Sequence, residues 1–120
     1  MEKKIKKVLL VEDNEDWNRI IKRGLGDKVQ ILSAYTIKEA EKIFEENSDI
    51  AIVIMDACVP GDTPNTQPLV QKIRQTFKGP MIAMSSMPMF RRKIVLAGCD
   101  HEVEEKTEAG KKVLELLGIS

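Results

Sequence analysis

The sequence predicts an α/β protein: a doubly wound, five-stranded parallel sheet in a three-layer α/β/α sandwich. Three observations carry that expectation. Apolar runs alternate with helix-periodic stretches five times along the chain. The connections between them are short, as β–α units require. The third apolar run, "IAIVIM" (50–55), contains no polar residue, which marks a strand buried on both faces. With 120 residues and 42% hydrophobic content, the chain has enough apolar material for a single domain spanning 1–120.

The elements follow in order. "KKVLLVE" (6–12) reads as the first strand, and "NEDWNRIIKRGLG" (14–26) as a helix with Trp17, Ile20, Ile21 and Leu25 at helical spacing. Gly24 and Gly26 close it. "KVQILSAY" (28–35) is the second strand. Thr36 and Glu39 form a capping box that opens a helix burying Ala40, Ile43 and Phe44. "DIAIVIMD" (49–56) is the third strand, followed by the Pro60-Gly61 turn and a loop with Pro64 and Pro68. Leu69, Val70, Ile73 and Phe77 define a third helix that Gly79-Pro80 ends. "PMIAMSS" (80–86) is the fourth strand and "MFRRKIVLAG" (89–98) the fourth helix. "CDHEVEE" (99–105) is a weak fifth strand, and "EAGKKVLELLG" (108–118) a last helix capped by Thr107.

Lys plus Arg and Asp plus Glu balance at 19 each, which argues against nucleic acid or an acidic membrane surface as a partner. No apolar run is long enough for a leader or a membrane span, so a cytoplasmic protein is expected, with Cys58 and Cys99 as free thiols. His101, with Cys99 and acids nearby, lacks the spacing of a metal motif.

In a doubly wound sheet of order 2-1-3-4-5, ligands bind where the strand order reverses, beyond the ends of strands one and three. Those ends carry Glu12-Asp13 and Asp56. Asp13 or Asn14 is explained as a helix cap, but capping does not explain an acid at the end of each of two buried strands. Three converging carboxylates repel one another and call for a cation, and hard oxygen ligands suit Mg²⁺. Ser85-Ser86 ends strand four and Lys106 follows strand five. A hydroxyl, a lysine and a divalent cation around one carboxylate make a cradle for a phosphoryl group.

"KVLLVEDNED", "IVIMDACVPG" and "MIAMSS" resemble the receiver domain of two-component response regulators, a flavodoxin-like fold, over essentially the whole chain. The likeness is to the stand-alone, chemotaxis-regulator type. It implies that Asp56 is the phosphoacceptor, supplied by a sensor histidine kinase or a histidine phosphotransfer protein. It further implies that Glu12, Asp13, Asp56 and the backbone carbonyl of Cys58 hold Mg²⁺, that Ser85 hydrogen-bonds the phosphoryl oxygens, and that Lys106 pairs with one of them. Such a domain catalyses only its own phosphotransfer and dephosphorylation. Its unknown output partner would dock on the helix-four face, where Phe90 stands beside Met87 and Met89, with the rearrangement centred on 85–93.

The sequence departs from the family pattern in three places. The loop "DTPNTQP" (62–68) is about two residues longer than usual. Counting from Gly98 places Glu105 in the lysine position, with Lys106 one residue further and followed by Thr107 rather than proline; Lys106 is preferred because a glutamate would repel a phosphoryl group. The aromatic residue usual on strand five is replaced by Glu102 in one register or Val103 in the other. These departures leave a second reading open, a degenerate receiver that binds partners without phosphorylation. A third, a Mg²⁺-dependent phosphohydrolase, wants a second acid two residues beyond the nucleophile, where this chain has Cys58.

Overall fold

Val8, Leu9, Leu10 and Val11 have no exposed surface, although side chains on a strand point alternately to opposite faces. Both faces of that strand must therefore be covered. In the computed structural model, which describes residues 5–59 and 64–119, they are. The strands are β1 (Lys6–Val11), β2 (Val29–Ala34), β3 (Ile50–Asp56), β4 (Met81–Met84) and β5 (His101–Val103). All pair in parallel, in the order β2-β1-β3-β4-β5. The helices are α1 (Glu15–Leu25), α2 (Ile37–Glu46), α3 (Gln67–Arg74), α4 (Pro88–Ala97) and α5 (Ala109–Leu117). The fold class and strand order expected from the sequence are the ones observed.

Two apolar layers result. Val8, Leu10, Ile52, Ile54, Ile82, Met84 and Val103 face Ile21 and Leu25 of α1 and Val113 of α5. Leu9, Val11, Val53, Met55 and Ala83 face Ala40 of α2, Val70 and Ile73 of α3, and Ile94 of α4. Each fully buried Leu, Ile or Val contributes about 1.5–3 kcal/mol of transfer free energy, so these layers are the main force holding the strand ends in register.

Local chemistry sets the element boundaries, and it corrects several expectations. The Asn14 side chain caps α1 by accepting the Trp17 N–H (2.9 Å), with Glu15 and Asp16 in the first turn and Lys22 and Arg23 in the last. Gly26 ends the helix with φ at 58°, whereas Gly24 lies inside it. Ile20 is exposed and Asn18 takes the buried place on the core side, because the helix turns its Asn18–Ile21–Leu25 stripe to the sheet. Thr36 caps α2 as expected, but Glu39 reaches back to the Tyr35 N–H (2.7 Å), one residue earlier than a standard capping box. Ile43 and Phe44 are only partly buried. Phe77 is buried but lies beyond the end of α3.

Thr107 does not cap the last helix. A single 3-10 turn, Lys106–Glu108, precedes α5, and Glu105 and Glu108 form the reciprocal capping box there. The sequence cue was missed because glutamate is a less common N-cap than threonine. Strand five is only three residues long. The Pro60-Gly61 turn and the Asp62-Thr63 part of the long loop lie outside the described residues.

Candidate functional site

Glu12 follows β1 directly and is held there by its backbone N–H, which donates to the Ala34 carbonyl (3.0 Å). Asn18 of α1 supports it from below, its amide donating to the backbone carbonyls of Glu12 (2.8 Å) and Asn14 (3.0 Å). Asp56 ends β3 across from Met84 of β4. Its carbonyl accepts from the buried Thr66 hydroxyl (2.8 Å), which also donates to the Ala57 carbonyl (3.1 Å) and so ties the start of α3 to the strand end. Side-chain oxygens of Glu12, Asp13 and Asp56 all lie within 4.8 Å of one another. Among the described residues, this is the cluster of acids, cysteines and histidine with the geometry to hold a metal ion. Convergence from two strand ends is what the sequence predicts.

The three carboxylates are not alone. Lys106 reaches over from the 3-10 turn, its Nζ 2.5 Å from Glu12 Oε1 and 3.2 Å from Asp56 Oδ2. The expectation that only a bound cation could let these acids coexist is therefore incomplete, since the chain supplies one positive charge itself. The Trp17 ring lies 5.7 Å from the same ammonium and adds a cation–π contact. The irregular count before Lys106 is absorbed by a short β5 and the 3-10 turn, which together deliver the lysine to the crevice.

The electrostatics follow from burial. Glu12 has no exposed surface. Desolvation, followed by repulsion from Asp56, pushes its carboxyl up to about 7, against the pull of Lys106 and the Asn14 N–H. Asp56 is raised as well, first by desolvation, while Lys106 and the Cys58 N–H oppose the shift. Burial pulls Lys106 down, but its bond to Glu12 and the charges of both carboxylates outweigh it and raise the ammonium. The result is a proton-hungry, net-acidic cluster whose lysine stays charged.

A crevice of about 410 Å³ opens above Asp56, lined by Cys58, Ser85, Ser86, Met87, Phe90 and Lys106. Ser85 is buried at its edge and Ser86 is exposed. The Ser85 hydroxyl accepts the Met87 N–H (3.2 Å). Neither cysteine forms a disulfide and both are buried, and desolvation pushes the Cys99 thiol up to about 12. His101 Nε2 lies 3.9 Å from Asp100 Oδ2.

Sequence reasoning missed Asn18, Thr66 and Arg91. All three are polar residues that read as surface or turn positions. Only Asn18 leaves a legible sign, since it falls on the apolar stripe of α1.

The strand-five alternative is decided by pairing: Ala83 aligns with Glu102 and Met84 with Val103. Val103 therefore joins the α1/α5 layer. Glu102 takes the α4 side, where its carboxylate meets Arg91 (2.7 Å).

No protein-family model and no curated protein matches the sequence. Solved structures match the fold closely. A two-component response regulator from Clostridium difficile is similar with a TM-score of 0.78 at 19% identity, over 94% of this chain and 96% of the other. The receiver domain of Francisella response regulator 1452 gives 0.76 at 20% identity, over 94% and 97%. A chemotaxis response regulator of Vibrio cholerae gives 0.77 at 16% identity, over 94% and 99%. The architecture is that of response regulator receiver domains. At these identities the likeness defines the fold, and the chemistry must be argued from the residues.

Proposed function

We propose that this chain is a phosphoacceptor receiver domain of a two-component or phosphorelay system. The observation that carries the reading is the meeting of Asp56 and Lys106 at 3.2 Å on the floor of a crevice, with Glu12 and Asp13 beside them. In the transfer, an Asp56 carboxylate oxygen attacks the phosphorus of a phosphohistidine on a sensor histidine kinase or phosphotransfer protein. The P–N bond breaks, the imidazole leaves with the electron pair, and an acyl phosphate forms on Asp56. Lys106 offers its ammonium to a phosphoryl oxygen, and Ser85 offers its hydroxyl to another.

The donor set fits a hard divalent cation, because oxygens of three carboxylates converge within 4.8 Å of one another. Glu12, Asp13, Asp56 and the backbone carbonyl of Cys58 would hold Mg²⁺, which supplies charge neutralisation for the incoming phosphoryl group. Both Glu12 oxygens are already engaged, by Lys106 (2.5 Å) and by the Asn14 N–H (3.0 Å). Glu12 therefore orients Lys106 as well as adding negative charge. The domain performs its own phosphotransfer and dephosphorylation and no other reaction.

Among the described residues, no helix is long and apolar enough to cross a membrane. This is compatible with a cytoplasmic partner of a kinase. The output face is α4, where Met87, Met89 and Leu96 are exposed and Phe90 lines the crevice. Intact-mass measurement after acetyl phosphate and Mg²⁺ tests the reading. A gain of one phosphoryl group, absent in Asp56→Asn, supports it, and an unmodified wild type would favour the second reading. That reading, a module that binds partners without phosphorylation, draws on Glu102 standing where the family usually has an aromatic ring.

A further inference from the structure

Arg91, in the first turn of α4, is a buried guanidinium with only 8% exposure. Its Nε donates to Glu102 Oε1 on β5 (2.7 Å) and its Nη1 to the Ser85 carbonyl (3.0 Å). Ser85 in turn accepts the Met87 N–H on its hydroxyl, and the Met87 carbonyl accepts the Arg91 N–H (3.0 Å). These bonds close a circuit running Ser85, Met87, Arg91 and back to Ser85, with Glu102 anchoring its charged corner.

We propose that Arg91 is the positioning residue that holds Ser85 at the rim of the crevice and, through Glu102, ties the state of the crevice to the β5 edge. The inference rests on the phosphoacceptor reading. A hydroxyl that already accepts a backbone N–H has its single hydrogen left to donate, so the circuit presets Ser85 as a donor to a group above Asp56. A buried guanidinium is stable only when its donors are used, and here one planar fork satisfies a carboxylate and a carbonyl together. An ammonium has one nitrogen and cannot span both. Any displacement of Ser85 must therefore be met by Arg91, and Glu102 is the group at the other end. Because its side chain is half exposed, Glu102 is where a docked partner can act back on the crevice, since coupling between two sites is reciprocal.

The test uses beryllofluoride with Mg²⁺ on the whole chain, read by Trp17 fluorescence and backbone amide NMR. Arg91→Met and Arg91→Lys should both weaken beryllofluoride binding, on the order of tenfold. Glu102→Ala should weaken it several-fold and Glu102→Gln less, because the amide oxygen still accepts a hydrogen bond. Arg92→Met, on the exposed side of the same turn, should bind like the wild type.

A purely structural role would not move the second readout. In the wild type, beryllofluoride should shift the amides of residues 102–103, and in Arg91→Lys those shifts should vanish while residues 56–58 still respond. If the Arg91 variants do not fold, Glu102→Ala alone decides, because it leaves the guanidinium and the crevice in place. Affinity and residue 102–103 shifts in Glu102→Ala that match the wild type overturn the inference and leave the phosphoacceptor reading standing. A wild type without any beryllofluoride response overturns both.

Discussion

Two cations sit at the carboxyl edge of the sheet, Lys106 partly buried and Arg91 buried, and they are built differently. At the ends of β1 and β3, Lys106 serves two carboxylates, Glu12 and Asp56, with Asp13 close by. At the ends of β4 and β5, Arg91 serves one carboxylate, Glu102, and one neutral carbonyl. The first group carries an excess of negative charge and the second is balanced. An unbalanced buried cluster is costly unless something else binds, so it has the character of a site. A charge-balanced pair needs no further ion and acts as a structural link. Exposure sharpens the contrast: Glu12 is sealed, whereas the Glu102 side chain is 50% exposed.

The largest expected effect breaks the unbalanced side outright. Asp56→Asn should retain the fold and lose phosphorylation completely, which intact mass would register. Its melting temperature should equal or exceed that of the wild type, because the change relieves the desolvation of the Asp56 carboxylate and its repulsion of Glu12. Phosphorylation that persists and maps to another residue would disprove the assignment.

Removing the lysine comes next. Lys106→Ala leaves Glu12 and Asp56 without a counter-charge, so it should slow phosphorylation sharply and cost about 3 kcal/mol at pH 8, where both acids must be ionised. The cost should shrink towards pH 5, as the acids take up protons. Lys111→Ala, on the exposed face of α5, should change neither property measurably. Urea melts of the two variants at both pH values make the comparison, and equal curves would place Lys106 outside the cluster.

A third, intermediate effect concerns metal and proton together. With its folded value raised from 4.5 to about 7, Glu12 keeps a proton in the folded protein that the unfolded chain releases. Stability from this group is thus fully present below pH 4.5 and is lost as pH rises through about 7. In EDTA the melting temperature should fall across that window, whereas Mg²⁺ replaces the proton and should flatten the fall. Glu12→Gln should reduce the pH dependence, leaving the part that the raised Asp56 contributes, and Glu12→Gln and Asp13→Asn should each weaken the Mg²⁺ effect. A Mg²⁺ stabilisation that is the same at pH 5 and pH 8 would count against a carboxylate site.

The balanced side should barely register in stability. Glu102→Ala removes a half-exposed carboxylate whose place at the Arg91 Nε water can take, so it should cost about 1 kcal/mol by thermal melting, well below Lys106→Ala. A much larger loss would mean that Arg91 and Glu102 hold the fold itself, and the contrast between the two cations would collapse.

Much of this was legible in the residues. Unbroken apolar runs specify strands covered on both faces, and five of them alternating with helical periods specify a doubly wound sheet, because five strands are too few to close the eight-stranded barrel that would also bury both strand faces. Given that sheet, its switch point brings Glu12, Asp13 and Asp56 together, so the acidic crevice was readable at once. The partners of those acids were not. Whether Glu105 or Lys106 reaches the crevice depends on a one-residue difference that a short strand and a 3-10 turn absorb, and such lengths are set by packing of β5 against β4 and of α5 against α1. Similarly, Arg91 in "MFRRK" is indistinguishable from Arg92 by composition. Only the pitch of α4 on the sheet turns one inward to Ser85 and Glu102 and leaves the other in water. Hydrophobic pattern determines which faces are buried, since burial energy scales with area and is indifferent to direction. The pairing of charges needs distances of about 3 Å, and those exist only once the elements are docked.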